Sequence, residues 1–365
     1  MTRLESATYR AGIVGATGIV GQRFVTLLEN HPWFKITAVA ASASSAGKTY
    51  GQAVEDRWTM DSPVPKSIGD MTLLDAADVN TIADSCDFLF CAIKLPDADT
   101  LALEESYART ETPVISNNSA SRLIPDVPML IPELNPHHAP VIEIQRRRLG
   151  TRFGFIAVKP NCSVQCYAPA LHPLMDFRPE RVFVSTYQAI SGGGKTFATY
   201  PDIIDNIIPY IPDEEEKSER EPLKIWGDLT DGGILPSFAP MISAQCIRVP
   251  VSDGHLAAVS VQFAKKPSRE DILERWRSFE PLPQRWNLPS APKPFLRYLD
   301  ESDRPQTRLD RDYSGGMGVT IGRLRDDPIF DYRFISLSHN TIRGAAGGGV
   351  LTAELLVKEG YIVKK

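Results

Sequence analysis

The segment Lys159-Pro160-Asn161-Cys162-Ser163 closes an expected strand and precedes a helix-forming stretch that begins at Gln165. A thiol in that position lies near the free N–H groups and partial positive charge of a helix start. Both favour the thiolate, the form that attacks a carbonyl carbon. The competing reading is a small buried hydrophobe, the ordinary fate of a free cysteine. Cys86, Cys91, Cys166 and Cys246 lack this setting and read as structural. Downstream, Gln245-Cys246-Ile247-Arg248-Val249-Pro250-Val251-Ser252-Asp253-Gly254-His255 carries an arginine and, after a tight Asp-Gly turn, a histidine. An imidazole beside a thiol can take its proton and return it near neutral pH. His31, His137, His138, His172 and His339 read as structural or exposed.

A second chemical signal opens the chain. Gly15-Ala16-Thr17-Gly18-Ile19-Val20-Gly21 sits between a strand-like run and a helix-like run. Glycines there let the backbone turn tightly and approach a pyrophosphate, which the helix start attracts. The first glycine of the usual G-x-G-x-x-G is displaced, so a purely structural turn stays open. An NAD site usually places an acidic residue after the second strand. No acidic residue occurs between Glu29 and Glu55, and Ala41-Ser42-Ala43-Ser44-Ser45-Ala46-Gly47-Lys48 offers hydroxyls and an ammonium instead. That favours the 2′-phosphate of NADP over NAD, against the alternative of a solvated serine-rich loop.

These groups need elements to hold them. Residues 11–16, 35–41, 87–93 and 113–116 read as short buried strands with helices between them, such as 22–29, which implies βαβ units and a parallel sheet. After Pro160 the strands lengthen and alternate, at 181–189, 246–251, 256–264, 318–325 and 332–338. The expected fold class is α/β: a Rossmann-type dinucleotide-binding domain plus an α+β catalytic and dimerisation domain with a mixed, largely antiparallel sheet. Residues 344–361 read as an amphipathic helix with Val350, Leu351, Leu355 and Leu356 on its core face.

Composition removes other classes. The net charge of −5 gives no electrostatic reason to bind nucleic acid, and the run Arg146-Arg147-Arg148 reads as a solvated helix face. No apolar run is long enough to span a bilayer, and residues 1–10 contain no secretory apolar core. Five cysteines in a long chain make no disulfide scaffold and fit a cytoplasmic, reducing compartment. Cys162 and Cys166 lack a second pair at ligand spacing, so no metal site is expected.

Taken in order, Gly15-Ala16-Thr17-Gly18, Pro160-Asn161-Cys162-Ser163, Tyr187-Gln188-Ala189-Ile190-Ser191-Gly192-Gly193-Gly194, Glu214-Glu215-Glu216-Lys217, Arg248 with His255, and His339-Asn340-Thr341-Ile342-Arg343-Gly344-Ala345-Ala346-Gly347 resemble the aspartate-β-semialdehyde dehydrogenase family. The style is that of its archaeal and fungal branch, especially at Val127-Pro128-Met129-Leu130-Ile131-Pro132-Glu133-Leu134-Asn135. The resemblance runs from about Arg10 to the C-terminus.

It implies NADPH-dependent reduction of L-aspartyl-4-phosphate to the semialdehyde through a cysteine thioester. Cys162 would be the nucleophile, His255 the acid/base, and Gln188 a group orienting the acyl-enzyme. Arg248 would hold the substrate α-carboxylate and Glu214 its amine. Lys217 and Arg122 would contact phosphate, with Asn161 also at the substrate. Gly15, Ala16, Thr17, Gly18, Ile19, Val20, Ser42, Ser45, Ser191, Gly192 and Asn340 would contact NADP. The implied domains are residues 1–157 with 344–365, and 158–343. The implied partners are the substrate, phosphate and further copies of the chain, as a homodimer or homotetramer.

Two departures stand out. Ser119 replaces a lysine usual in that branch, and Lys195-Thr196-Phe197 replaces a Tyr-Pro-Gly run. Rival readings are a malonyl-CoA-type acyl-CoA reductase on the same fold, an N-acetyl-glutamyl-phosphate reductase, and a non-catalytic NADP-binding homologue. Glu214 and Lys217 argue against the first, which needs partners for neither amine nor phosphate. Pro160-Asn161-Cys162, where the second usually has Pro-Gly-Cys, argues against that one.

Overall fold

The computed structural model describes residues 8–365. The reading of the first ten residues therefore lies largely outside the described residues. Strands β1 (Tyr9–Val14), β2 (Phe34–Ala41), β3 (Leu74–Asp75), β4 (Phe88–Cys91), β5 (Val114–Ser116) and β6 (Ile156–Val158) form one sheet in the order β3-β2-β1-β4-β5-β6. Every pairing in it is parallel. β4 and β5 are buried throughout, as strands covered on both faces must be. The strand order reverses between β1 and β4, which opens a crevice at their carboxyl ends, the usual seat of a dinucleotide.

The remaining strands are β7 (Pro179–Gln188), β8 (Asp228–Thr230), β9 (Gly233–Leu235), β10 (Met241–Arg248), β11 (His255–Phe263), β12 (Leu296–Leu299), β13 (Val319–Asp326) and β14 (Tyr332–Ser338). β8 and β9 form a hairpin; the others form a second sheet in the order β10-β7-β11-β14-β13-β12. Its centre is antiparallel and its two outer pairings are parallel. β11 alternates strictly: His255, Ala257, Val259, Val261 and Phe263 are buried while their neighbours are half-exposed. The buried face packs against the helix Val164–Leu171, all of whose residues are buried. On the other face Phe183, Tyr187 and Met241 are exposed.

Two sequence expectations need correction, and a third holds only in part. The strand placed at 246–251 runs Met241–Arg248, because Val249 turns back to Gln188 and Pro250 has no N–H for a ladder. The basic run is solvated at Arg147 and Arg148, both exposed, although Arg148 also pairs with Asp126 and Glu105; only Arg146 is half-buried, lying over the Phe155 ring and bonding the Tyr361 carbonyl. The last helix, Gly347–Lys358, is not amphipathic. Every residue from Gly347 to Val357 is buried. Val350, Ala353 and Leu356 join the core of the parallel sheet, whereas Leu351 and Leu355 pack with Leu288 and Met317. The helix is wedged between two apolar surfaces, so it has no solvent face. Its Glu354 carboxylate is held by His31 at 2.8 Å and by the Ser290 amide.

Candidate active site

β6 ends in Lys159-Pro160-Asn161, and the chain turns at Cys162 into the helix Val164–Leu171. Among the five cysteines, all of them described, only Cys162 is partly exposed. Gly344 explains how closely the returning chain approaches: a Cβ there would lie 2.8 Å from the Cys162 Cβ. Asn161 fixes the turn. Its Oδ1 accepts from the Ser163 amide at 2.7 Å, and its Nδ2 donates to Glu214 at 2.7 Å.

His255 opens β11, fully buried, with Nε2 3.2 Å from the Cys162 sulfur. Gln188 and Arg248 are the last residues of β7 and β10 and lie in register with each other. The strand ends thus deliver an amide and a guanidinium side by side. Gln188 Nε2 donates to Glu214 at 3.1 Å, and Arg248 donates to the Ala189 carbonyl at 2.6 Å. Gly192 sits over the imidazole and the guanidinium; a Cβ there would be 3.1 Å from the His255 ring and 3.2 Å from Arg248. Glu214 begins the helix Glu214–Ile225, with the Lys217 ammonium 4.0 Å from its carboxylate.

The charge state differs from the sequence expectation of a thiolate held by the helix start. Burial and then the Glu214 carboxylate push the Cys162 thiol up to about 11, against the opposing Lys159, Arg122 and Arg248 cations. Burial, then Arg248 and His339, hold the His255 imidazole well below its usual value. Burial thus opposes both the thiolate and the imidazolium of the free pair, and it works against whatever the helix start contributes.

The structure puts three expected contacts to other uses. Arg122 is buried and donates to the Glu221 carboxylate at 2.8 Å, so it is not a free cation. Asn161 spends its side chain on Ser163 and Glu214. Asn340 accepts from the Gly254 amide at 2.8 Å and donates to Ser191 Oγ at 2.8 Å, tying the loop that presents His255 to the Ile190–Gly193 turn. Glu221 was missed by sequence reasoning. It receives both Arg122 and the Asn161 amide, and its place two helical turns after Glu214, on the same face, was the available signal.

The nucleotide crevice fits a dinucleotide. Gly15 has φ +85°, and a Cβ there would meet the Ala92 carbonyl at 2.5 Å; one on Gly21 would meet the Gly15 carbonyl at 2.2 Å. These contacts bring β1, β4 and the helix Ile19–Leu28 together, with Gly18 as a cap that uses no side chain. Ala16 and Thr17 complete the turn, and the N–H groups of Ile19 and Val20 have no acceptor within the helix. Ser42 is exposed at the end of β2 beside Ser44, whereas Ser45 is buried in the turn. Among the described residues no cluster of three or more His, Cys, Asp or Glu could hold a metal ion.

Residues 10–141 match the semialdehyde dehydrogenase NAD binding domain, and residues 171–343 match the semialdehyde dehydrogenase dimerisation domain. The aspartate-semialdehyde dehydrogenase of Methanothermobacter thermautotrophicus is 44% identical over 349 residues, covering 94% of this chain and 98% of that protein. The chain belongs to the aspartate-semialdehyde dehydrogenase family. The Schizosaccharomyces pombe member is 42% identical, covering 98% of this chain and 100% of its own. A crystal structure of the Candida albicans aspartate semialdehyde dehydrogenase with NADP superposes with a TM-score of 0.87 at 37% identity, covering 98% of this chain and 100% of that one. Within this family, the α/β architecture with its separate mixed sheet is the fold the sequence implied.

Proposed function

We propose that the protein catalyses NADPH-dependent reductive dephosphorylation of L-aspartyl-4-phosphate to L-aspartate-4-semialdehyde through a thioester on Cys162. The observation that carries this reading is the Cys162 sulfur 3.2 Å from the His255 ring at the rim of a nucleotide crevice, in a family of that activity. A covalent thioester splits one difficult reduction into an acyl transfer and a hydride addition. Glu214 receives the substrate amine, and Arg248 holds the α-carboxylate with its planar fork. An amine on Glu214 also neutralises the anion that raises the thiol pKa, so docking of the substrate favours the attacking thiolate. Phosphate leaves toward Lys217, with the remaining N–H groups of Arg122 behind it. When bound, NADPH supplies the hydride that reduces the thioester. His255 is the proton donor as the resulting hemithioacetal collapses, and Gln188 orients the acyl group.

The residues proposed to hold NADP are Gly15, Ala16, Thr17, Gly18, Ile19 and Val20 at the pyrophosphate. Ser42 and Ser45 lie near the ribose phosphate, and Ser191, Gly192 and Asn340 near the reacting ring. Residues 1–157 with 344–365 form the nucleotide-binding unit on this reading, and 158–343 the catalytic and oligomerising unit. The deciding assay follows NADP reduction with the semialdehyde plus phosphate, against NADPH oxidation with malonyl-CoA. Activity confined to malonyl-CoA refutes the proposal. Arg248→Lys is expected to raise KM for the amino-acid substrate about tenfold or more, since one charged hydrogen bond is worth roughly 1.5–3 kcal/mol. An unchanged KM removes Arg248 from the carboxylate.

The apolar outer face of the second sheet supports self-association as a homodimer or homotetramer. Phe183, Tyr187 and Met241 lie exposed there on adjacent strands. Phe183→Glu is expected to shift the species seen by light scattering toward monomer, whereas an unchanged mass places the interface elsewhere. Among the described residues no helix is long and apolar enough to cross a membrane. A cytoplasmic location fits five unpaired cysteines.

A further inference from the structure

We propose that Glu221 is a positioning residue that joins the phosphate contact to the nucleophile: one carboxylate aims Arg122 and pins the turn that carries Cys162. This role rests on the reading of Arg122 as a phosphate contact and adds what sets its geometry. Glu221 is 2% exposed. Its Oε1 accepts from Arg122 Nη1 at 2.8 Å, and its Oε2 accepts from the Asn161 N–H at 2.5 Å. Asn161 directly precedes Cys162. A buried carboxylate that spans two such donors stays where both can reach it, so a shift of one is felt by the other.

The helix Glu214–Ile225 is the frame behind this arrangement. Glu214, Ser218 and Glu221 follow at i, i+4 and i+7, one stripe of its surface. All three touch the residues that flank the cysteine. Glu214 Oε1 accepts from Asn161 Nδ2 at 2.7 Å, and the Ser218 and Ser163 hydroxyls lie 3.1 Å apart. Further along the helix, the buried Lys224 ammonium donates to the carbonyls of Arg122 and Ile124 at 2.7 Å and of Val127 at 2.8 Å. The loop that carries Arg122 and the turn that carries Cys162 are therefore set by one helix.

Glu214 cannot keep its grip through the reaction. On the proposed reading its carboxylate turns to the substrate amine, which competes with Asn161 Nδ2 and Gln188 Nε2 for the same two oxygens. Gln188 is then released toward the acyl group, and Glu221 is the anion that still holds Asn161. Arg122 is arranged for a second acceptor. Its Nη1 goes to Glu221 and its Nη2 to the Asn117 carbonyl at 3.3 Å, while its Nε is buried with no acceptor among the described residues. Ser119, Arg122, Lys217 and Glu221 line one cavity of about 650 Å³, room for the departing phosphate.

Steady-state kinetics with semialdehyde, NADP and phosphate test the role. Glu221→Gln keeps the shape but offers one carbonyl oxygen where two acceptors are needed, and its NH2 opposes the second donor. KM for phosphate is expected to rise about tenfold or more and kcat to fall, with KM for NADP unmoved. An unchanged KM for phosphate overturns the proposal. So does an equal rise in KM for phosphate and for NADP, which marks a carboxylate that only supports the fold. A double-mutant cycle with Arg122→Met separates the two contacts. In that background Glu221→Gln should no longer raise KM for phosphate, yet should still lower kcat through Asn161. Losses in KM that multiply refute action through Arg122. Should Glu221→Gln strand the guanidinium and unfold the chain, Glu221→Asp decides. It keeps the charge but is one methylene too short to reach both donors, and a wild-type KM for phosphate there refutes the link. Failure of the family reaction itself would instead appear as a wild-type enzyme whose turnover does not need phosphate.

Discussion

Replacing Cys162 with alanine is expected to lower kcat on the order of 10⁴-fold or more, with NADPH affinity unchanged. Losing a nucleophile removes the whole covalent route and leaves only binding and charge stabilisation, which accounts for drops of that size in other enzymes. Alanine keeps the Cβ against which Gly344 packs, so the turn should hold. The glycine turn that receives the cofactor belongs to other strands, so NADPH binding followed by fluorescence should not move. Stopped-flow turnover with the semialdehyde and phosphate gives the first number. A variant that retains its turnover ends the thioester account, and one that also loses NADPH reveals a folding defect.

The second large effect lies behind the site. Arg343 and Glu133 meet through two bonds of 2.6 Å, both fully buried, and Arg343 Nε donates to Gln165 at 3.1 Å. This pair joins the Pro132-Glu133 turn to the helix after Cys162 and to the π turn Ile342–Ala346. Glu133→Ala strands a guanidinium in the interior, and breaking such a pair costs about 3–5 kcal/mol. Urea unfolding should show that loss, with a slower enzyme as Gly344 shifts against Cys162. The double replacement Glu133→Leu with Arg343→Met should recover much of the stability, because two apolar groups leave no uncompensated charge. A single variant within about 1 kcal/mol of wild type shows that the pair is solvated or dispensable.

Much of this was legible in the residues, for physical reasons. The glycine turn could be read because Gly15 and Gly21 occupy positions where a Cβ collides with backbone. The parallel sheet could be read because doubly buried strands are continuous apolar runs. β3 escaped notice because it is two residues long, and β12 is also short, whereas the strand that Lys159 closes was expected and is β6. Cys162 and His255 stood out by type and setting, and Gln188 only through the family resemblance, but the electrostatics of the pair did not. Helix proximity is visible in a sequence, whereas the burial and the Glu214 anion that govern Cys162 come from distant segments. The same is true of Arg122, whose partner Glu221 is 99 residues away. The last helix was misjudged because an apolar stripe looks the same whether its other side meets water or a second core.

That helix has a consequence for synthesis. It is synthesised after both sheets, yet Val350, Ala353 and Leu356 fill the layer laid down by the first half of the chain. A nascent protein ending near residue 340 carries an open greasy slot and lacks its plug. Folding of the nucleotide half is therefore held back until this helix has emerged, and a chain stalled or truncated before it should be prone to sticking and to chaperone capture.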